Sequence, residues 1–374
     1  MIFKLYLVTV IVLAVFGEQY TPGSNEYLLQ TLSPLLNPLN GLLFDGPSSA
    51  SNARTTTRNR NKLPTLEQMQ YYNYYAASMY YGYGHANLTC DYCLKFKKNV
   101  VHHRVIPNNM HNTLALITLS KNRKEIVVAF RGTWNVWNVI LDVLLINGRE
   151  GNSPKQIKVH QGFYIAAMSL YDDVVRAVAE YLRKNPGFKV VIVGHSLGGA
   201  MARLIYFFLE DCKQFPEVTY ELYTYGEPRV GNRYFADFMN SRSITTARVV
   251  ARADLVPHFP PTSIVGLNIL GDYYIQPQTE FWINGEKGQK FCCQTVYEDP
   301  ECGMSMGPAY SVLDHGVYFD TNLGSILGQP LLFAHLPLNL LNPVDVLPPL
   351  PKPIENLIGG LASGVVGALV PALG

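Results

Sequence analysis

Four consecutive β-branched residues, Val190, Val191, Ile192 and Val193, run directly into Gly194-His195-Ser196-Leu197-Gly198, and a stretch of helical length follows to Cys212. The apolar run has the composition of a strand buried on both faces. A strand that turns at once into a helix forces its turn residue into a strained backbone, and the glycines at 194 and 198 remove side chains that would collide there. Between them, the Ser196 hydroxyl stands at the carboxyl end of the strand and at the positive end of a helix. This G-x-S-x-G elbow is a mount for a nucleophile. A helix-packing glycine cluster would give the same five letters, but not the strand before them and the helix after them.

The rest of the chain must supply a sheet around that strand. Strand-like runs recur at TLALITLS, EIVVAFRG, YELYTYG and ARVVARAD, and a long helical pattern, FYIAAMSLYDDVVRAVAEYLRK, ends at the stop signal Asn185-Pro186-Gly187. The tyrosine-rich segment LEQMQYYNYYAASMYYGYG reads as an N-terminal helix with a packed, half-polar face. Strands alternating with helices predict an α/β fold, a mostly parallel central sheet flanked by helices. Such sheets place their sites beyond the carboxyl ends of the strands.

A serine hydroxyl is a weak nucleophile alone; it needs a base, an acid to orient the base, and donors for the developing oxyanion. On sheets of this kind the order along the chain is Ser, then Asp or Glu, then His. Asp254 follows the strand TTARVVARAD and precedes a proline-rich turn, which suits the acid, although a turn-capping aspartate has the same setting. Asp237 precedes that strand, and Asp272 and Asp299 lie in less ordered sequence. Beyond Ser196 stand His258 in the turn itself, His335 in a Leu/Pro-rich tail, and His315 in SVLDHGVYFD, with a glycine for a bend and an aromatic anchor after it; His315 is the favoured base. The oxyanion donors expected are the backbone N–H of Leu197 and the hydroxyl and N–H of Thr133, at the end of EIVVAFRGT. The apolar residues that follow, Trp134, Val136, Trp137, Val139, Ile140 and Leu141, fit either a lid over a greasy cleft or a buried helix.

Composition bounds the setting. The net charge of +2 and the lack of a long basic run argue against nucleic acid as a partner. Residues 1–17, one lysine followed by an apolar block cut short at Glu18-Gln19, read as a signal peptide and so predict a secreted, extracellular protein. Six cysteines suit disulfides in that compartment, and Asn87-Leu88-Thr89 is a glycosylation sequon. Residues 18–62 read as a low-complexity N-terminal linker, residues 63–325 as the enzyme-like domain, and residues 326–374 as a Leu/Pro/Gly-rich tail. The last stretch, LIGGLASGVVGALVPALG, suits a lipid-contacting segment, an interaction tail or a weak anchor; Pro371 and five glycines argue against a stable spanning helix, and no polar spacer of the kind that precedes a GPI signal stands before it.

The blocks VVAFRGT, VHQGF, VIVGHSLGGA, TYGEPRVGN, RADLVPHFPP, EFWI and SVLDHGVYF, in this order from about Leu66 to Leu323, resemble the class 3, fungal-type triacylglycerol lipases. The resemblance implies an α/β-hydrolase fold with a short helical lid at about Trp134 to Leu145. It implies Ser196 as nucleophile, Asp254 as triad acid, His315 as base, and Thr133 and Leu197 as oxyanion donors, with no cofactor and no metal. It implies a disulfide between Cys90 and Cys93 and another between Cys293 and Cys302, and leaves the pairing of Cys212 and Cys292 open. The family's lid often carries tryptophan where Val139 stands here. The function implied is ester hydrolysis on acylglycerols at a lipid–water interface, with transient contact to a membrane or lipid droplet. Phospholipids or another hydrophobic ester are the alternative substrates, and a catalytically silent lipid-binding relative is the alternative of another class. A peptidase with the same triad suits the apolar segment less well.

Overall fold

The computed structural model describes residues 63–82, 87–133, 148–150, 157–260, 274–277, 280–284, 289–292, 297–309, 311 and 313–323. All of them fall in one compact unit, Leu36–Leu331. The expected leader, the linker at 18–62, the tail at 326–374 and the apolar segment carrying Trp134, Val136, Trp137, Val139 and Ile140 lie outside the described residues.

Among the described residues eight strands form one sheet in the order β1-β2-β3-β6-β7-β8-β9-β10. They are β1 (His102–Asn108), β2 (Thr113–Ser120), β3 (Glu125–Phe130), β6 (Lys189–His195), β7 (Tyr220–Tyr225), β8 (Thr245–Ala251), β9 (Glu280–Ile283) and β10 (Gln289–Cys292). From β3 to β9 every neighbour runs parallel. The outer pairs, β1 with β2, β2 with β3 and β9 with β10, are antiparallel. Only four residues join β1 to β2 and four join β2 to β3 (109–112 and 121–124), and so short a link closes a hairpin but cannot carry a parallel crossover. Two small ribbons, β4 (Gly148–Glu150) with β5 (Lys158–His160) and β11 (Val317–Tyr318) with β12 (Thr321–Asn322), stand apart from the sheet.

Helices cover both faces. Helices α3 (Gln161–Lys184) and α4 (Leu197–Asp211) pack on one face, where Ile126, Val128, Phe130, Val190 and Ile192 meet Leu170, Val174, Met201 and Leu204. Helix α1 (Leu66–Ser78) and the short α2 (Asp91–Phe96) pack on the other, where Val127, Ala129, Val191 and Val193 meet Met69, Tyr72, Tyr75 and Phe96. The alternation along β3 and β6 therefore feeds two cores, which is why both strands are apolar at every position of their centres. Helix α5 (Arg233–Ser241) runs between β7 and β8 in the chain.

Helix α1 starts at a capping box, Thr65 with Gln68, and ends at Ser78, earlier than the tyrosine run suggests. Its tyrosines are spent on packing and hydrogen bonds. Tyr72 donates to Glu125 at 2.7 Å, and Tyr75 stacks on Phe96 with centroids 3.7 Å apart. Cys90 and Cys93 form the expected disulfide at the start of α2. Cys302 is disulfide-bonded to a cysteine whose side chain is outside the described residues, and Cys212 is free and exposed, so it does not pair with Cys292.

Candidate active site

The carboxyl ends of β3, β6, β7 and β8 point to one end of the sheet, and the singled-out residues gather there. Ser196 follows the last residue of β6 and is the N-cap of α4, with φ 59° and ψ −129°. That backbone region is costly for any residue with a Cβ and marks a constrained site. It is imposed by the tightness of the turn. A Cβ on Gly194 would lie 2.0 Å from the Gly198 carbonyl oxygen, and one on Gly198 would lie 2.3 Å from that of Phe130. Ser196 N–H donates to the Tyr225 carbonyl at 2.9 Å, tying the elbow to β7.

Asp254 lies three residues beyond β8, fully buried. Its Oδ1 accepts the Val256 N–H at 2.9 Å. The His315 Nδ1 lies 2.9 Å from Oδ2 and 3.1 Å from Oδ1, and Tyr318 donates its hydroxyl to Oδ2. A carboxylate only accepts, so Nδ1 of His315 carries the hydrogen and Nε2 carries the lone pair. That Nε2 and the Ser196 Oγ are both buried, and neither has a hydrogen-bond partner among the described residues. A buried polar atom without a partner is costly, and two at one site mark a place built for something else.

The loops bearing Asp254 and His315 are zipped together. Ser311 N–H donates to Ala253 at 2.7 Å, Leu255 N–H donates to Ser311 at 3.2 Å, and Arg252 pairs with Asp314 at 2.8 Å. Behind the Asp254 turn, buried Arg229 donates to the carbonyls of His258 and Pro260 and pairs with Glu298. Burial pushes the Glu298 carboxyl up, but Arg229 outweighs it and holds the group below the usual range.

Leu197 is the first residue of α4, so its N–H has no intrahelical acceptor. Thr133 lies half-buried three residues past the end of β3, whose Phe130 pairs with Gly194 of β6. Both oxyanion candidates thus stand at the strand end that carries Ser196. The competing residues are elsewhere or engaged. Asp237 accepts from Tyr297 at 2.5 Å on the surface, and Asp299 caps the turn at Glu301 at 3.0 Å. His258 is buried, with its pKa pushed down to about 3 first by burial and then by Arg229. Asp272 and His335 lie outside the described residues.

Sequence reasoning missed three site residues, Tyr80, His195 and the role of Tyr318. His195 Nε2 lies 2.8 Å from the His315 carbonyl oxygen, and its Nδ1 lies 2.7 Å from the Tyr80 hydroxyl. Position alone was the signal for His195, which is the residue between Gly194 and Ser196. Tyr318 was legible only as an aromatic after His315; its bond to Asp254 joins residues 64 apart in the chain. Among the described residues no cluster of metal-binding side chains occurs, and no helix is long and apolar enough to cross a membrane.

Comparisons with known proteins agree with this architecture. The family described as Lipase (class 3) matches residues 127–264. The chain is 30% identical over 305 residues to a lipase of Rhizopus niveus, covering 78% of this chain and 75% of that protein. It is 36% identical over 171 residues to a secreted mono- and diacylglycerol lipase of Fusarium solani, covering 46% of this chain and 47% of that one. The solved Rhizomucor miehei triacylglyceride lipase superposes with a TM-score of 0.62 at 27% identity, over 70% of this chain and 96% of its own. Likeness that spans most of a relative's sequence and nearly all of a solved fold leaves one conclusion, that this chain belongs to the class 3 lipases and has their α/β-hydrolase fold.

Proposed function

We propose that this protein is a serine hydrolase that cleaves the carboxylic ester bonds of acylglycerols. One observation carries the reading: the Ser196 Oγ and the His315 Nε2 are both buried without partners among the described residues, while Asp254 occupies the other side of the same imidazole. Ser196 Oγ attacks the ester carbonyl carbon as its proton passes to His315 Nε2. The imidazolium that forms is stabilised by the buried Asp254 carboxylate, which the Tyr318 hydroxyl and Val256 N–H keep in place. The developing oxyanion takes hydrogen bonds from the Leu197 N–H, at the positive end of α4, and from Thr133. Collapse of the tetrahedral species breaks the C–O bond, and His315 returns the proton to the departing glycerol-side alcohol. Water, deprotonated by His315, then releases the fatty acid and regenerates Ser196.

The substrate class rests on kinship with proteins named as lipases, one of them for mono- and diacylglycerols. Because Ser196 and His315 are both out of contact with solvent, an ester reaches them only after a rearrangement, and contact with a lipid–water interface is the setting that favours it. The leader-like residues 1–17, the disulfide-bonded Cys90, Cys93 and Cys302, and relatives named as secreted support the proposal of an extracellular location. Asn87 of the sequon is exposed, as a glycan acceptor must be.

The test is hydrolysis of an emulsified long-chain triacylglycerol beside mono- and diacylglycerols, a phospholipid and a soluble short-chain ester. Activity on the glycerides that rises above their solubility limit and is lost in Ser196→Ala is the expected result. Preference for the phospholipid overturns the substrate class, and equal rates in a folded Ser196→Ala overturn the mechanism.

A further inference from the structure

His195 takes no part in the chemistry above, yet it is enclosed, bonded at both ring nitrogens, and set beside the base. Its neighbours fix its state. The His315 carbonyl can only accept, so Nε2 of His195 carries the hydrogen and donates across 2.8 Å. Nδ1 is then the acceptor, and the Tyr80 hydroxyl donates to it across 2.7 Å. The Tyr80 oxygen in turn packs against the backbone of Gly132, the residue before Thr133. The approach there is close, since a Cβ on Gly132 would lie 2.1 Å from the Tyr80 oxygen and 3.2 Å from the Ser196 Cβ. Burial, and then the adjacent His315, pushes the pKa of His195 down to about 3, so this imidazole stays neutral. The two imidazoles lie with centroids 4.5 Å apart, tilted by 34°.

Tyr80 stands two residues beyond α1, and α1 is itself anchored to the site. The Tyr225 hydroxyl donates to the Met69 carbonyl at 2.5 Å, and Asn73 donates to the Tyr318 carbonyl at 3.0 Å and to Thr321 at 2.9 Å. The hydroxyl therefore arrives from a fixed element.

We propose that Tyr80 and His195 are positioning residues, forming a relay from Tyr80, packed on Gly132, through His195 to the His315 carbonyl that holds the oxyanion strand end, the nucleophile and the base in mutual register. The inference rests on the reading of Ser196 and His315 as nucleophile and base. Asp254 grips the side chain of His315, which sits in a four-residue turn, Leu313–Gly316. The bond from His195 grips the backbone instead, and does so from the residue next to Ser196. The distance between Oγ and Nε2 is thus set from both ends, and proton transfer is steeply sensitive to such distances. A cationic residue in place of neutral His195 would oppose the imidazolium formed on His315; a neutral donor does not.

The test compares Tyr80→Phe, His195→Gln, His195→Leu and the double variant Tyr80→Phe/His195→Leu in the full chain, on the preferred ester, with Tm measured for each. Glutamine keeps a neutral N–H near the place of Nε2; leucine keeps only bulk. Tyr80→Phe is expected to lower kcat about tenfold and His195→Leu about a hundredfold, with KM near wild type, glutamine restoring most of the loss, and the double variant no worse than His195→Leu. Should His195→Leu not fold, Tyr80→Phe and His195→Gln still decide. Unchanged turnover in Tyr80→Phe, or the same loss from it with and without His195, overturns the relay. Imidazole 15N spectra read the relay without turnover. His195 is expected as the neutral Nε2–H tautomer between about pH 5 and pH 8, with Tyr80→Phe shifting the His195 and His315 signals together. If Ser196→Ala hydrolyses as fast as wild type, the nucleophile reading falls, and a His315 signal blind to Tyr80→Phe then separately removes the relay.

Discussion

Tyr318 donates its hydroxyl to the same Asp254 oxygen, Oδ2, that lies 2.9 Å from the imidazole Nδ1 of His315. The acid of the proposed triad is therefore held by a side chain that arrives with the base, three residues further along the same loop. Tyr318→Phe removes one donor from a buried carboxylate. A loss of about 1–3 kcal/mol in stability is expected, together with a fall in kcat of about tenfold at unchanged KM, read by thermal unfolding and steady-state kinetics on the same preparation.

Asp254 fixes which nitrogen of His315 is basic. Asp254→Asn keeps the shape but offers an amide that donates as readily as it accepts, so the imidazole is free to turn its hydrogen toward Ser196. A drop in kcat of about 10⁴-fold is expected, with the fold intact by circular dichroism. Retention of more than a tenth of the wild-type rate would remove Asp254 from the mechanism.

His195 and His258 are both buried and both held far below the ordinary histidine value of 6.5, at about 3. The sign follows from proton counts. Between those two values the unfolded chain binds protons at these histidines and the folded chain does not, so stability rises with pH across the window and falls as the pH drops from about 6.5 toward 3. Tm measured against pH should fall through that range. His195→Gln and His258→Gln should each flatten the slope, and a profile equally steep in both variants would contradict this.

Arg229 and Glu298 form a buried pair behind the Asp254 turn, 3% and 6% exposed. Arg229→Ala removes the cation paired with the buried Glu298 carboxylate and releases the carbonyls of His258 and Pro260. A destabilisation of about 3–5 kcal/mol is expected by denaturant unfolding. Because the Glu298 pKa is lowered in the fold, its stabilisation is present above the ordinary glutamate value and is lost as pH falls through the depressed one. Glu298→Gln should remove that acid sensitivity.

Much of the site was legible because its parts are local. The elbow is five adjacent residues with strand and helix on either side, and Asp254 and His315 each stand in a short motif after a recognisable element. The antiparallel edge was less legible. β1 reads HHRVIPN, with its first three residues exposed, so it carries no apolar run to announce a strand, and it exists because β2 offers an edge to pair with. Long-range contacts were the least legible. Tyr80 reaches His195 across 115 residues, and nothing in the crowded tyrosines of α1 and its flank singles out the one whose hydroxyl is needed in the site.

The most direct measurement is reaction with a long-chain alkyl phosphonate ester, followed by peptide mass mapping. Ser196 Oγ activated by His315 should displace the phosphonate's leaving group and carry one adduct per chain, and the adduct should be lost in Ser196→Ala and strongly slowed in His315→Ala. Labelling at another residue, or equal labelling in folded Ser196→Ala, would contradict the assignment of Ser196 as the nucleophile.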